Sequence, residues 1–324
     1  MTCISVIIPT YRRPEDLANC LEALKNQTRL ADEILVIVRD SDLETQAFLA
    51  DYPQDSLPLS QIEVVASGQV AALNRGLESV KGDIISITDD DGVPHPPWLE
   101  RIEAHFLADP RVGGVGGRDW MYVGGKLHDG AQPIVGRVQW FGRTIGNHHL
   151  GVGAPQQVEI LKGANMSYRR GAVGNLRFDT RLQGSGAEVH NDRGFSLNIS
   201  KAGWKLIYDP AVSIDHHHGQ RFDEDQRGTF NQQAWFNEVY NNTIVMLGYL
   251  SPVRKVVFVV WSLLIGTRRS YGLVQLLRFL PQEGMLAVRK LAISVDALRQ
   301  GLNNFERQTP LVAAASPVSS QALT

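Results

Sequence analysis

Only two cysteines, Cys3 and Cys20, occur in 324 residues. One falls in a predicted strand and one on a predicted helix face, so they read as reduced core residues and a disulfide framework is excluded. Long apolar runs are missing too. The longest covers residues 256–266, far short of the ~20 residues that a bilayer-spanning helix needs. The opening MTCISVIIPTYRR has no basic segment ahead of its short apolar run. It reads as a strand rather than a signal peptide, and the cytoplasm is the expected compartment. No Cys cluster or HExxH pattern supports zinc, and the adjacent His216, His217 and His218 would alternate between the faces of a strand. Residues 111–117 (RVGGVGG) have their glycines misplaced for a dinucleotide loop and no helix pattern after them. They are read as a strand with close backbone approach. No internal repeat is found.

What is present fits a folded globular chain. Hydrophobic residues make up 43% and charged residues 20%, and the length suits one large domain with an appendage. The net charge of −2 hides an asymmetry. Residues 251–310 carry nine Lys or Arg against three acids, a formal +6, which leaves −8 on residues 1–250. A basic appendage on an acidic body suggests an anionic surface as partner, and nothing in the chain points to nucleic acid.

The first hundred residues alternate apolar runs with helical patterns. Strands are expected at 3–8, 33–38, 62–65 and 83–88. A helix begins at Pro14, with Leu17, Cys20, Leu21 and Leu24 on one face, and another covers 70–80. Such alternation predicts an α/β fold, a mainly parallel mixed sheet with helices on both faces. Beyond Pro94 the glycine-studded chain looks more irregular, and from Trp235 helical patterns dominate. The expected organisation is a body over 1–220, split into 1–110 and 111–220, a basic helical region over 221–310, and a flexible tail over 311–324.

Ligands of such sheets bind beyond the carboxyl ends of the strands, where Pro9-Thr10-Tyr11, Arg39-Asp40 and Asp89-Asp90-Asp91 all fall. Three consecutive carboxylates at the end of a buried strand repel one another and raise each other's pKa. A hard divalent cation such as Mg²⁺ or Mn²⁺ removes that cost and keeps positions open for phosphate oxygens. A solvated acidic turn is the plain alternative.

Several motifs in order resemble the family-2 glycosyltransferases, which have the GT-A fold. They are Val6-Ile7-Ile8-Pro9-Thr10-Tyr11-x-Arg13, GQVAALNRG at 68–76 with Asn74-x-Gly76, and the strand ending in Asp89-x-Asp91, followed by Trp98-Leu99. Later come Gly163-Ala164-Asn165 and the residues up to Arg170, then Phe178-Asp179, Asn191-Asp192 through Trp204, and 210–216. The likeness covers about residues 3–218. It implies an inverting, metal-dependent transfer of one sugar from a nucleotide-sugar donor, a UDP-sugar first and a GDP- or dTDP-sugar otherwise, to a glycan or lipid-linked acceptor in polysaccharide biosynthesis. It also implies roles for particular residues. Pro9, Thr10, Tyr11, Arg13, Asp40, Asn74, Asp89 and Asp90 line the nucleotide, while Asp89, Asp91 and His216 hold Mn²⁺ or Mg²⁺. Gly163, Asn165 and Trp98 face the sugar or acceptor. Asp192 is the base that deprotonates the acceptor hydroxyl, with Glu188 as its rival.

Three departures stand out: Asn191 where the family has Glu, Arg39-Asp40 where it has an acidic pair, and Leu73 where it has Arg. Tyr11, Trp98 and Trp204 suit either stacking on a base or sugar or an ordinary core. A processive synthase would carry Q-x-x-R-W, but Gln232-Gln233-Ala234-Trp235 lacks the Arg. A sugar nucleotidyltransferase would need a glycine-rich loop near Pro9, and a non-catalytic nucleotide-sugar-binding protein would have no use for Asp192. The basic-flanked apolar segment at 256–265 is expected either to lie on an anionic membrane, at the inner face of the plasma membrane, or to pack on the body or a second subunit.

Overall fold

The computed structural model describes residues 2–53, 56–225, 229–307, 314, 316 and 317. Ile4–Thr10 forms β1, Glu33–Arg39 β2, Leu59–Val64 β3 and Ile84–Ile87 β4, with α1 (Pro14–Lys25), α2 (Leu43–Asp51) and α3 (Gln69–Ser79) between them. β1 and β4 are buried along their whole length, as parallel strands covered on both faces must be. The order β4-β1-β2-β3 is parallel throughout. β3 is the edge strand and has exposed and half-buried residues and no buried one, so its weak apolar signal predicts only its last part. α1 starts with Pro14 in its first turn, acids Glu15 and Asp16 toward the helix N-terminus, and buries Leu17, Cys20, Leu21 and Leu24. α2 has no counterpart in the sequence reading. It buries only Thr45 and Leu49, and Asp42 caps it by accepting from the Thr45 N–H.

The second half extends the same sheet. Gly92–Pro94 (β5), α4 (Trp98–Ala108), β6 (Val112–Val123), β7 (Lys126–Leu127), β8 (Arg137–Val138), β9 (Thr144–Ile145), β10 (Gln156–Val158), β11 (Met166–Arg169), α5 (Arg170–Val173), α6 (Asn191–Lys201) and β12 (Lys205–His217) follow in order. The main sheet runs β10-β12-β6-β11-β4-β1-β2-β3, with β5 on β12 and β7 on β6. β11 is antiparallel to both β4 and β6, whereas β12 runs parallel to β6. The expected mixed sheet is therefore present, and the glycine-studded stretch is a long strand rather than an irregular one. Its glycines permit close approach: a Cβ on Gly117 would lie 1.8 Å from the Val212 carbonyl oxygen.

Two apolar clusters fill the two faces of the sheet, one around Ile7, Ile85, Tyr168 and Phe195, the other around Ile8, Leu21, Trp98 and Ile102. A third joins the body to the C-terminal helices. These are α7 (Gln232–Tyr249), α8 (Pro252–Leu264), the hairpin β13 (Gly266–Thr267) and β14 (Ser270–Tyr271), α9 (Leu273–Glu283) and α10 (Met285–Arg307). In it Tyr240, Met246, Phe258 and Leu298 pack with Val138, Ile160, Leu182 and Leu197. Most of the tail expected to be flexible lies outside the described residues, but Ala314 is buried in the first cluster.

Candidate active site

The carboxyl ends of β1 and β4 adjoin, and the acidic turn sits between them. Asp90 is fully buried. Thr10 Oγ1 donates to it over 2.7 Å, and Arg13 spans Asp90 at 2.5 Å and Asp91 at 3.1 Å. Burial pushes the Asp90 carboxyl up, against the pull of Arg13. Thr10, Arg13 and Asp90 thus close on one another and hold the turn. Asp90 presents no surface to a nucleotide, which corrects its expected role.

Its two neighbours point elsewhere. Asp89, Asp91 and His216 each offer a ligand atom, and these atoms lie within 4.8 Å of one another. His216 reaches this place because β12 carries it alongside β5, where it pairs with Gly92. Burial, then the adjacent Asp91, push the Asp89 pKa up. Burial also opposes ionisation of Asp91, but His216 and Arg13 outweigh it and hold Asp91 below the usual range. Asp91 Oδ2 accepts from the Gly219 N–H at 2.9 Å, while its buried Oδ1 makes no hydrogen bond among the described residues and has only the His216 Nε2 at 3.3 Å. The other histidine nitrogen faces Asp119 at 3.6 Å. Burial would lower the His216 pKa, but the two carboxylates raise it to about 9. A histidine between one carboxylate and a candidate ligand site is the arrangement that orients metal-binding imidazoles. An oxygen-rich set with a spare buried carboxylate oxygen fits a hard divalent ion.

A second chain of contacts leads from this cluster to the far side of the crevice. Gln69, in the first turn of α3, donates from Nε2 to Asp89 at 3.0 Å and accepts from Asn191 Nδ2 at 3.1 Å. Asn191 begins α6, where Asp192 follows half-buried, accepting from the Gly163 N–H at 3.0 Å and from its neighbour's N–H at 2.7 Å. The departure at Asn191 thereby has a physical reason: an amide can donate to Gln69 and a carboxylate cannot. Glu188 has other work. Its Oε2 accepts from the N–H groups of Gln69 (2.8 Å) and Val70 (3.2 Å), capping α3, and burial lifts its pKa to about 7. This contact needs a glycine at the cap: Gly68 has φ +102°, and a Cβ there would collide with the Glu188 carboxylate.

Several other expected site residues are taken up by the core or by contacts within the fold. Trp98 is fully buried and donates from Nε1 to Asn165 Oδ1 at 2.9 Å, while Asn165 Nδ2 donates to the Val212 carbonyl. Both belong to the core, which corrects their assignment to the sugar or acceptor. Trp204 is likewise buried. Asn74 is used at both ends by the backbone of Phe178, at 3.0 and 2.8 Å, so it ties α3 to the body. Asp40 is exposed at the end of β2 and Pro9 is buried in β1. Tyr11 stays half-exposed at the crevice, with the guanidinium of Arg12 5.1 Å and that of Arg39 5.8 Å from its ring. Residues absent from the sequence reading are Gln69, Asp119, Lys162, which pairs with Asp119, and Asp42, which receives the Arg12 N–H at 2.6 Å. A lone Asp in a strand or a Gln inside a helix motif carries no pattern of its own. Only Asp42 carries a sequence signal, as an Asp at the N-cap of α2.

The profile of the family described as glycosyl transferase family 2 matches residues 5–176, more than half of the chain. Glycosyltransferase AglE of Haloferax volcanii is 36% identical over 102 residues, 30% of this chain and 33% of that protein. The glucosyl-dolichyl phosphate glucuronosyltransferase of the same organism is 22% identical over 222 residues, 66% of this chain and 68% of that one. The chain spans about a third of the length of the first curated relatives it matches. Among solved structures, the mannosyltransferase PcManGT of Pyrobaculum calidifontis, in complex with GDP-Man and Mn²⁺, is similar in fold with a TM-score of 0.55 at 17% identity, covering 94% of this chain and 88% of that one.

Proposed function

The chain belongs to glycosyl transferase family 2, and on that premise we propose that it moves one sugar, with inversion, from a nucleotide-sugar donor to a glycan or lipid-linked acceptor in the assembly of a cell-surface or extracellular polysaccharide. The observation that carries this reading is the continuous path from the Asp89–Asp91–His216 cluster through Gln69 and Asn191 to Asp192. It sets a site for a charged leaving group at one end and a carboxylate at the other.

In this reading Asp89, Asp91 and His216 hold Mn²⁺ or Mg²⁺, with His216 oriented by Asp119. An ion bound there would supply positive charge against the departing diphosphate. Burial opposes the charge on Asp91, but His216 and Arg13 outweigh it and keep the carboxylate ionised for that purpose. The nucleoside lies by Tyr11, where the buried Arg39 Nε has no hydrogen-bond partner among the described residues and suits a base carbonyl such as those of uracil or guanine. A UDP-sugar is tried first, then GDP- and dTDP-sugars. Asp192 takes the proton of the acceptor hydroxyl, its carboxylate aimed by the Gly163 N–H. Glu188, occupied in capping α3, keeps a positioning role. The fold neighbour's GDP-Man and Mn²⁺ support a nucleotide sugar with a divalent ion, and the relative named for glucosyl-dolichyl phosphate supports a lipid-phosphate acceptor. The enzyme would work in the cytoplasm, peripherally on the inner membrane face.

A thermal-shift panel of nucleotide sugars with and without Mn²⁺ tests the donor. A ligand at about 100 times its Kd stabilises the native state by about 2.7 kcal/mol, so one donor should stand out in the presence of the ion. A flat panel would defeat the reading.

A further inference from the structure

The C-terminal region is built with its apolar side outward. On α8 the exposed residues are Val253, Val256, Val260, Leu263 and Leu264, which recur at helical spacing, while Phe258 is the buried one. On α9 Leu273, Val274, Leu277 and Leu280 are exposed beside Arg278, and the polar Gln275 is buried. Met285, 77% exposed, continues this surface into α10. A folded soluble protein gains nothing by turning such a face to water. α8 and α9 pack on each other and on the hairpin between them, and Arg268 and Arg269 lie exposed at its tip. Residues 252–282 contain Arg254, Lys255, Arg268, Arg269 and Arg278 and no Asp or Glu. Among the described residues no helix is long and apolar enough to cross a membrane.

We propose that the outward face of α8, the β13–β14 hairpin and α9 docks on an anionic lipid bilayer, its apolar side chains entering the headgroup boundary and its arginines meeting lipid phosphates. The charge selects this occupant. A two-fold contact between copies would set one cationic face against another, since the acid of α9, Glu283, is paired with Lys290, and like charges would oppose it. A bilayer with anionic lipids supplies both the apolar layer and the counter-charge. The surface also adjoins the crevice. Arg269 acts electrostatically on Arg193, next to Asp192 in α6, and on Glu238 of α7. Resting on the proposed transfer to a lipid-linked acceptor, this places the acceptor side of the site against the membrane in which that acceptor is held.

The test is vesicle co-sedimentation of the full chain with phosphatidylcholine alone and with phosphatidylglycerol added, at low and high salt. Retention on the anionic vesicles at low salt, weakened by salt, is expected. The double substitution Val256→Glu/Leu277→Glu, at exposed positions, should weaken it about tenfold or more with unchanged circular dichroism, and Arg268→Gln/Arg269→Gln should lower the salt dependence. No retention, or retention insensitive to these changes, would overturn the proposal. So would a dimer in sedimentation velocity that the double substitution dissociates, since a second copy would then cover the face. Calorimetric titration of the donor into the same variants separates the two readings. Donor binding that persists without vesicle retention sinks only the docking, whereas absent donor binding in the unaltered chain sinks the transferase reading.

Discussion

At the scale of single residues, the division of labour among the carboxylates is the main result. Asp90 is an internal strut, Asp89 and Asp91 face the crevice, Asp119 backs His216, and Glu188 caps a helix. Asp192→Asn is expected to keep donor affinity in calorimetry while lowering turnover by ~10²–10⁴-fold, the usual weight of a general base. A comparable loss in Glu188→Gln, with Asp192→Asn active, would reassign the base. Glu188 carries its own pH signature. Its folded pKa of about 7 lies above the ordinary 4.5, with burial as the largest cause. The folded state therefore prefers the protonated acid, a preference fully present below pH about 4.5 and lost as pH rises through about 7. Since one pKa unit is 1.36 kcal/mol, the term is on the order of 3 kcal/mol at most. Glu188→Gln keeps an acceptor for the α3 N–H groups, so urea midpoints across this range should lose that slope. An unchanged slope would place the titration elsewhere.

At the scale of elements, legibility in the sequence followed burial. β1, β2 and β4, covered on both faces, announce themselves as apolar runs, whereas the edge strand β3 and the half-exposed α2 carry too few apolar residues to do so. In β6 the glycines blur the strand pattern because they serve packing between strands. Gly117→Ala would drive its Cβ to 1.8 Å from a backbone oxygen, a clash no side-chain movement relieves, so stability should fall by about 3 kcal/mol or more if the variant folds at all. Chemical denaturation measures it, and a loss under about 1 kcal/mol would mean that β6 and β12 shift apart with ease. The motif strings located the acidic turn and the start of α6. They could not place Gln69 or Asp119, because each acquires its role through partners 20 to 122 positions away or on another strand.

At the scale of the whole molecule, the C-terminal helices share a core with the body through Phe258, Tyr240 and Leu298 against Ile160, Leu182 and Leu197. Phe258 is 1% exposed, so Phe258→Ala should cost about 3–5 kcal/mol. Because the core is shared, thermal unfolding should remain one transition; two separate ones would show that the helical region melts by itself. The same region turns its apolar side to solvent, which is how the basic segment seen in the sequence acquires meaning as a surface.

The central claim is that Asp89, Asp91 and His216 form a metal and nucleotide-sugar site. Its most direct test is calorimetric titration of the donor found in the nucleotide-sugar panel, with Mn²⁺ and with the ion chelated, into the unaltered chain, Asp91→Asn and His216→Gln. The account predicts Mn²⁺-dependent binding in the unaltered chain that both substitutions remove or strongly weaken, with circular dichroism unchanged. Equal binding with and without the ion, or undiminished binding in folded Asp91→Asn, would contradict it.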